Sequence, residues 1–452
     1  MTKIFYSSTL YGTMSLAASI DAGLFGPHDE RWVLLVSNNT NAPEIVDSFF
    51  ADSPAFATLS RRFDEVVRWN DVIAPLHPSG WTPPANEVPL LTRLVTEHLQ
   101  ITDEISELVV ESIAVPPART LGVLIRDCPI TVYSDGLMTY GPTRDDVAVE
   151  IGGRAHRIFY LDLVAGVTPL LLREYEAEPV VIPDSEFRKV IAELPAPEIG
   201  DAFGAPVIIG QYLSPLGILT ASEENQLHAR MLKALVNAGY RRVVFTPHPG
   251  AGSMHVRSLQ SAAREIGAEL VVARHGLPVE TWFQAAQPEL VVSCFSTALF
   301  TGARYFDITA ATMGAEVVLD RLTPYENSNR IPATLTDAVI PELTADGGLV
   351  APPVRDVDQL ARTVAFCMQP QRNGDLAVVA AAYIAEHGTA RYFKNRRLTS
   401  VGLITPATRK DRARRRARRR AIGYAVRARA MGRRWKVRAL AAYEARAANR
   451  RG

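Results

Sequence analysis

The chain has 452 residues, 47% of them apolar and 21% charged, which argues against disorder and leaves room for two globular domains plus extras. Its three cysteines, Cys128, Cys294 and Cys367, are far apart and lack metal-ligand spacing, which speaks against a disulfide framework and for a reducing compartment. The net charge of +1 is unevenly spread: residues 407–452 hold 16 Arg and 2 Lys against Asp411 and Glu444, a net of +16, leaving −15 on the body.

Residues 1–10 are too short and polar for a signal peptide, and a core strand is expected to begin at Lys3. The longest apolar runs, 161–172 and 376–385, fall short of the roughly 20 residues that span a bilayer, so a cytosolic protein is expected. Residues 3–6 read as a strand, Ser7-Ser8-Thr9-Leu10-Tyr11-Gly12 as a hydroxyl-rich loop and 13–22 as a helix. A second buried strand at 32–36 is followed by the polar loop 37–41 and a helix at 42–50. This is the βαβ pattern, and it continues through strand 64–67, helix 88–100, strand 107–110, segment 116–125 and strand 129–133. That last strand runs into Ser134-Asp135-Gly136.

Prolines 179, 183, 195, 197 and 206, with Gly200 and Gly204, place a domain boundary in 174–206. A second series follows: strand 207–209, loop 211–219, helix 221–238 with Ser222 as the expected N-cap, and strand 242–245. The loop Pro247-His248-Pro249-Gly250 leads to helix 258–266, strand 269–272, helix 279–285 and strand 289–293, and then to Ser296-Thr297 before another helix. Helices at 357–368 and 375–386 come late, the second expected to pack back on the first domain. The domains expected are 1–200, 205–370, a returning helix in 371–404 and a tail in 405–452.

Three strand ends could carry chemistry: Asp135-Gly136 in the first series, His248-Pro249 and Ser296-Thr297 in the second. Strand-to-helix turns are where open α/β sheets bind ligands, and a histidine with hydroxyls at helix N-termini suits a phosphate while a carboxylate takes a proton. Each feature also has a plain reading: Asp-Gly as a turn, Ser296 as an N-cap, His248 as a turn residue without a task. Ser7, Ser8 and Thr9 are either acceptor-facing or ordinary small turn residues. His228, His255 and His275 are read as surface or structural, and Asp356-Val357-Asp358 as a capped helix start rather than a metal motif.

In order and placement, Asp135-Gly136, His248-Pro249 and Ser296-Thr297 resemble the bacterial sialyltransferases, and specifically the capsule-type α-2,8-polysialyltransferase family, over about residues 4–299. The resemblance implies an α/β fold of two Rossmann-like domains facing a cleft (GT-B), and an inverting, metal-independent transfer from a CMP-activated nonulosonic acid such as sialic acid. It implies Asp135 as general base beside Gly136 on the acceptor side, and His248 stabilising the leaving CMP phosphate. Ser296, Thr297, Pro249 and Gly250 would hold the donor, with Glu280 on the nucleotide ribose. The family pattern often has two acidic residues before the glycine, whereas here Ser134 takes the first place and leaves Asp135 alone in the role.

The tail is rich in Ala and Arg, and Tyr424, Ala428, Met431 and Trp435 form a narrow apolar stripe along a basic helix. Such a helix suits an anionic membrane surface, where a lipid-linked oligo- or polysaccharide acceptor would wait; nucleic acid is the lesser alternative. The rival functions are a related GT-B transferase using an NDP-sugar or CDP-polyol, and a non-catalytic nucleotide-sugar or nucleic-acid binding protein.

Overall fold

The computed structural model describes residues 1–40, 49–133, 136–248, 253–273, 276–352, 354, 356–389 and 391–405. The expected helix at 42–50 lies almost wholly outside them, as do Asp135, Pro249, Gly250, His275 and the basic tail with its apolar stripe. Residues Met1–Lys394 form one compact unit and Asn395–Gly452 another, in which the helix Asn395–Ser400 is described.

Two seven-stranded sheets organise the first unit. The first holds β1 (Thr2–Ser7), β2 (Arg31–Val36), β3 (Glu65–Arg68), β4 (Ile105–Val110), β5 (Ile130–Tyr133), β6 (Ala155–Tyr160) and β7 (Glu178–Val181), in the order β3-β2-β1-β4-β5-β6-β7. Every described pairing in it is parallel. The second holds β8 (Val207–Ile209), β9 (Arg242–Thr246), β10 (Glu269–Val272), β11 (Leu290–Ser293), β12 (Thr309–Thr312), β13 (Glu342–Leu343) and β14 (Leu349–Val350). Its order is β10-β9-β8-β11-β12-β13-β14, parallel except for the β13–β14 hairpin. Both orders are the Rossmann pattern, so this is an α/β GT-B architecture. Each sheet has a switch point where consecutive connections diverge, at β1/β4 in the first and β8/β11 in the second.

Central strands read as continuous apolar runs because helices cover both faces. All of β1 is buried, and its one cation, Lys3, is tolerated because Glu107 of β4 and Glu30 accept it at 3.0 and 3.3 Å.

Element boundaries follow capping chemistry that apolar periodicity does not see. The first helix is Leu10–Asp21 rather than 13–22, because the Thr9 side chain accepts from the Gly12 N–H and starts the helix there. The helix after β8 is capped by Thr220, not Ser222, in a reciprocal capping box with Glu223. The helix after β9 begins at Ser253, not at 258. By contrast, Asp356 caps the helix Val357–Met368 as expected, accepting from Gln359 N.

The stretch 174–206 contains more structure than a linker. Pro179 lies in β7, the edge strand, where a missing N–H leaves no central ladder bond unmade. Pro183 then precedes the helix Asp184–Glu193. Along that helix Asp184 accepts from Arg304 Nε at 2.9 Å and Phe187 packs on Tyr305 with ring centroids 5.3 Å apart, tying it to the helix Ala298–Phe306. The late helix, Ala377–His387, packs on Val357–Met368. Just before it, Arg372 donates to the carbonyls of Thr143 and Asp145, and Asp375 pairs with Arg173. Among the described residues no helix is long and apolar enough to cross a membrane.

Candidate active site

At each switch point one side chain stitches the two diverging strands together. In the first sheet it is Glu111, which directly follows β4. Its Oε2 accepts from Ser8 Oγ at 2.6 Å and its Oε1 accepts from the Ser8 backbone N–H at 2.5 Å. The Tyr133 hydroxyl, at the end of β5, lies 3.2 Å from Oε1 and donates to the Tyr6 carbonyl at 2.9 Å. Gly12 makes room for this carboxylate: a Cβ there would sit 3.0 Å from Glu111 Oε1 and 2.9 Å from Thr9 Oγ1.

Glu111 went unnoticed in the sequence, although it occupies after β4 the place that Asp135 nearly occupies after β5. Its neighbours also correct an expectation. Ser7 is fully buried and its hydroxyl is engaged with Thr13, the Thr9 carbonyl and Glu111, so it builds the turn instead of facing an acceptor. The Thr9 hydroxyl serves as helix cap, and Ser8, partly exposed like Thr9, has its hydroxyl on a carboxylate.

In the second sheet the stitch is Gln211, after β8, whose Oε1 accepts from the Phe295 N–H after β11 at 2.9 Å. The next residue, Tyr212, stacks on His248, with ring centroids 5.1 Å apart and planes 22° from parallel. The turn carrying Tyr212 is anchored by Glu224, a buried carboxylate that accepts from Leu213 N at 3.1 Å and Ser214 N at 2.8 Å. His248 itself is exposed at the end of β9. Crowding by the surrounding protein holds its pKa below the ordinary histidine value, against a smaller upward pull from Glu224. His228 and His255 lie behind this wall: burial lowers His228 to about 4, and His255 shares a 2.6 Å hydrogen bond with Asn225.

Ser296 and Thr297 sit immediately before the helix Ala298–Phe306. Ser296 Oγ accepts from Ala298 N at 3.3 Å, the local capping contact its type favours. The N-terminus of this nine-residue helix presents backbone donors and the positive end of its dipole, a setting that suits an anion.

The two halves meet at Gly136. Its backbone, at φ 145° and ψ −147°, is a conformation open essentially to glycine. A Cβ there would lie 2.6 Å from Thr297 Oγ1 and 3.0 Å from Thr297 Cγ2. Close by, Gly141 approaches Ile331 of the second half, where a Cβ would find Ile331 Cγ1 at 3.4 Å. The turn after β5 therefore touches the turn after β11, and the C-terminal edges of the two sheets are turned toward each other at that point. Asp135 is the residue before Gly136 and lies outside the described residues, as do Pro249 and Gly250 beside His248.

Glu280 stands apart from this surface. It is buried, accepts from Thr301 Oγ1 at 2.8 Å, and burial raises its pKa, so it ties the helix Val279–Ala286 to Ala298–Phe306 in place of the expected ribose contact. Asp358 likewise has local work, pairing with Arg362 at 2.6 Å and accepting from Thr168 N at 3.1 Å.

The alpha-2,8-polysialyltransferase family model matches residues 3–315. No curated protein matches the chain in sequence. Among solved structures, the GT-B domain of a Photobacterium damselae sialyltransferase is similar at 14% identity and TM-score 0.38, over 74% of this chain and 96% of that one. Acinetobacter baumannii MurG is similar at 12% identity and TM-score 0.39, over 89% and 98% of the two chains. The E. coli heptosyltransferase WaaC follows at 14% identity and TM-score 0.31, over 69% and 88%.

Proposed function

The chain belongs to the alpha-2,8-polysialyltransferase family and is a glycosyltransferase, and on that premise we propose that it moves a nonulosonic acid, sialic acid or a relative, from a CMP-activated donor to a hydroxyl of a cell-surface glycan. The observation that supports this reading is the approach of Gly136, the residue after Asp135 in sequence, to Thr297 in the turn that precedes the helix Ala298–Phe306.

In this reading the CMP phosphate lies on the Ser296 and Thr297 hydroxyls and the first amides of that helix, with His248 beside it. The acceptor oxygen attacks the anomeric carbon from the opposite face as Asp135 takes its proton. The bond from that carbon to the phosphate oxygen breaks with both electrons going to CMP, and configuration inverts. His248, whose pKa the surrounding protein lowers, gains a proton more readily once a phosphate faces it, and hands that proton or a hydrogen bond to the leaving oxygen. The phosphate's charge is met by amides, hydroxyls and histidine, so the scheme requires no metal. The Arg-rich tail would hold the enzyme on the anionic inner face of the plasma membrane, within reach of a lipid-linked acceptor.

The test compares CMP, CMP-sialic acid, UDP and CDP in thermal unfolding of wild type and His248→Ala, together with CMP release by Asp135→Asn. A ligand at a hundredfold excess over its Kd adds about 2.7 kcal/mol of stability. The expected result is stabilisation by the CMP compounds that weakens in His248→Ala, and CMP release lowered about 10²- to 10⁴-fold in Asp135→Asn. Stabilisation by UDP alone would transfer the reading to an NDP-sugar enzyme, and an Asp135→Asn enzyme with full activity would remove the base from its role.

A further inference from the structure

The helix Ala298–Phe306 is held by the first half of the molecule at both of its ends. At its start, Thr297 lies against Gly136. Near its end, Arg304 donates from Nε to Asp184 at 2.9 Å and from Nη2 toward Asp162 at 3.5 Å, while its carbonyl accepts from Arg188 at 3.0 Å. Asp162 lies in the segment 161–164 that follows β6 of the first sheet. Asp184 and Arg188 belong to the helix Asp184–Glu193, which packs on Leu10–Asp21 of the first half, Phe187 meeting Tyr11 edge to face at 5.7 Å.

The two ends are also joined through the first half itself. The single turn Leu137–Tyr140 starts directly after Gly136, and its buried Tyr140 closes it onto the segment 161–164. The Tyr140 hydroxyl donates to the Leu161 carbonyl at 3.3 Å and accepts from the Val164 N–H at 3.1 Å. Contacts therefore run in a ring: Thr297 to Gly136, through the turn to Tyr140, across to the segment that bears Asp162, on to Arg304, and back along the helix. One point of contact fixes a separation and leaves rotation free. Two points about 10 Å apart along a helix, seven residues of rise, fix a direction as well, and a drift of about 1 Å at the far point swings the helix by about 5°.

We infer that Arg304 and Tyr140 are positioning residues for the transfer, setting the angle at which the helix Ala298–Phe306 faces the turn after β5. This rests on the proposed function, which assigns the donor phosphate to the start of that helix and the base to Asp135. Neither residue touches the reacting atoms. The Arg304–Asp162 pair is part-exposed, with side chains 30% and 32% accessible, and such a pair adds little to stability. Rate is far more sensitive to alignment, since about 1 Å of misplacement can cost about 10²-fold.

The experiment uses the full chain and measures CMP release from CMP-sialic acid with water as acceptor, CMP affinity by calorimetry, and the guanidinium unfolding midpoint. The variants are Arg304→Gln, Arg304→Lys, Asp162→Asn, Tyr140→Phe and the double variant Arg304→Gln/Tyr140→Phe. Arg304→Gln and Tyr140→Phe should each lower kcat about tenfold or more while the Kd for CMP stays within about threefold of wild type. Arg304→Lys, which keeps a cation for one of the two aspartates, should recover much of the rate. The double variant should be little slower than the slower single one, because both changes open the same ring. Should Tyr140→Phe fail to fold, Arg304→Gln and Asp162→Asn, at part-exposed positions, decide the matter alone. Variants with kcat within about twofold of wild type, losses that follow the unfolding midpoint or CMP affinity instead of kcat, or effects that multiply in the double variant overturn the inference. Failure of the proposed function looks different: wild type itself then neither binds CMP nor releases it from the donor.

Discussion

Replacing Gly136 with alanine tests the contact on which the site depends. The new methyl would fall 2.6 Å from Thr297 Oγ1, 3.0 Å from its Cγ2 and 3.3 Å from its Cβ, so Thr297 must move or the two halves must part. Two separable effects follow. Holding a non-glycine residue at φ 145°, ψ −147° costs about 1–3 kcal/mol, and forcing the methyl against Thr297 costs about 1–3 kcal/mol more. Their sum is a large fraction of a typical 5–15 kcal/mol stability. Thr297→Ala deletes Oγ1 and Cγ2 and leaves the backbone alone. In the double variant the overpacking share should therefore return while the conformational share persists, a coupling of about 1–3 kcal/mol in a double-mutant cycle. The assay is guanidinium unfolding of the four proteins, with CMP affinity by calorimetry alongside; Gly136→Ala should weaken CMP binding because it displaces Thr297, to which the proposed function assigns the phosphate. A Gly136→Ala protein within about 0.5 kcal/mol of wild type, or a coupling indistinguishable from zero, would refute the reasoning.

Two further outcomes can be checked directly. Tyr212→Ala should lower kcat/KM about tenfold and shift the acid limb of the pH profile, because His248 loses the ring that stacks on it, whereas Tyr212→Phe should restore both; equal behaviour of the two variants would dismiss Tyr212 as a positioning residue. Glu107 gives a pH prediction in the first sheet: burial pushes its pKa up, but Thr131, Lys3 and Arg157 outweigh that and leave it below its usual value. A lowered folded pKa contributes stability that is present above the unfolded value of about 4.3 and is lost as pH falls through the folded one. The denaturation midpoint of wild type should therefore drop more steeply below pH 5 than that of Glu107→Gln, which at pH 7 should already be destabilised by about 1.5–3 kcal/mol because Lys3 keeps only Glu30 as an acidic partner. Parallel pH curves for the two proteins would count against the ion cluster.

The apolar runs at 3–6, 32–36, 107–110, 129–133, 242–245 and 289–293, each followed by a polar turn, were enough to specify two βα series, because a strand buried on both faces must be apolar throughout. The same runs placed His248 and Ser296-Thr297 at strand ends, and the Gly136 turn after β5. Short polar or proline-bearing strands escaped this logic: β12 is Thr-Ala-Ala-Thr, and β7 contains Pro179, whose place is legible only when β7 is known to be an edge. Helix starts escaped it as well, since Thr9 and Thr220 act through single hydrogen bonds that carry no periodic signal. What tertiary structure alone decided was which polar residues share a site. Ser7 and Glu280 look in sequence like cleft residues, and packing buries them. Glu111, Gln211 and Tyr212 look like ordinary loop residues, and the sheet order brings them to Ser8, Phe295 and His248. A strand order of 3-2-1-4 opens its switch point between segments about a hundred residues apart in the first sheet, and local pattern holds no information over that distance.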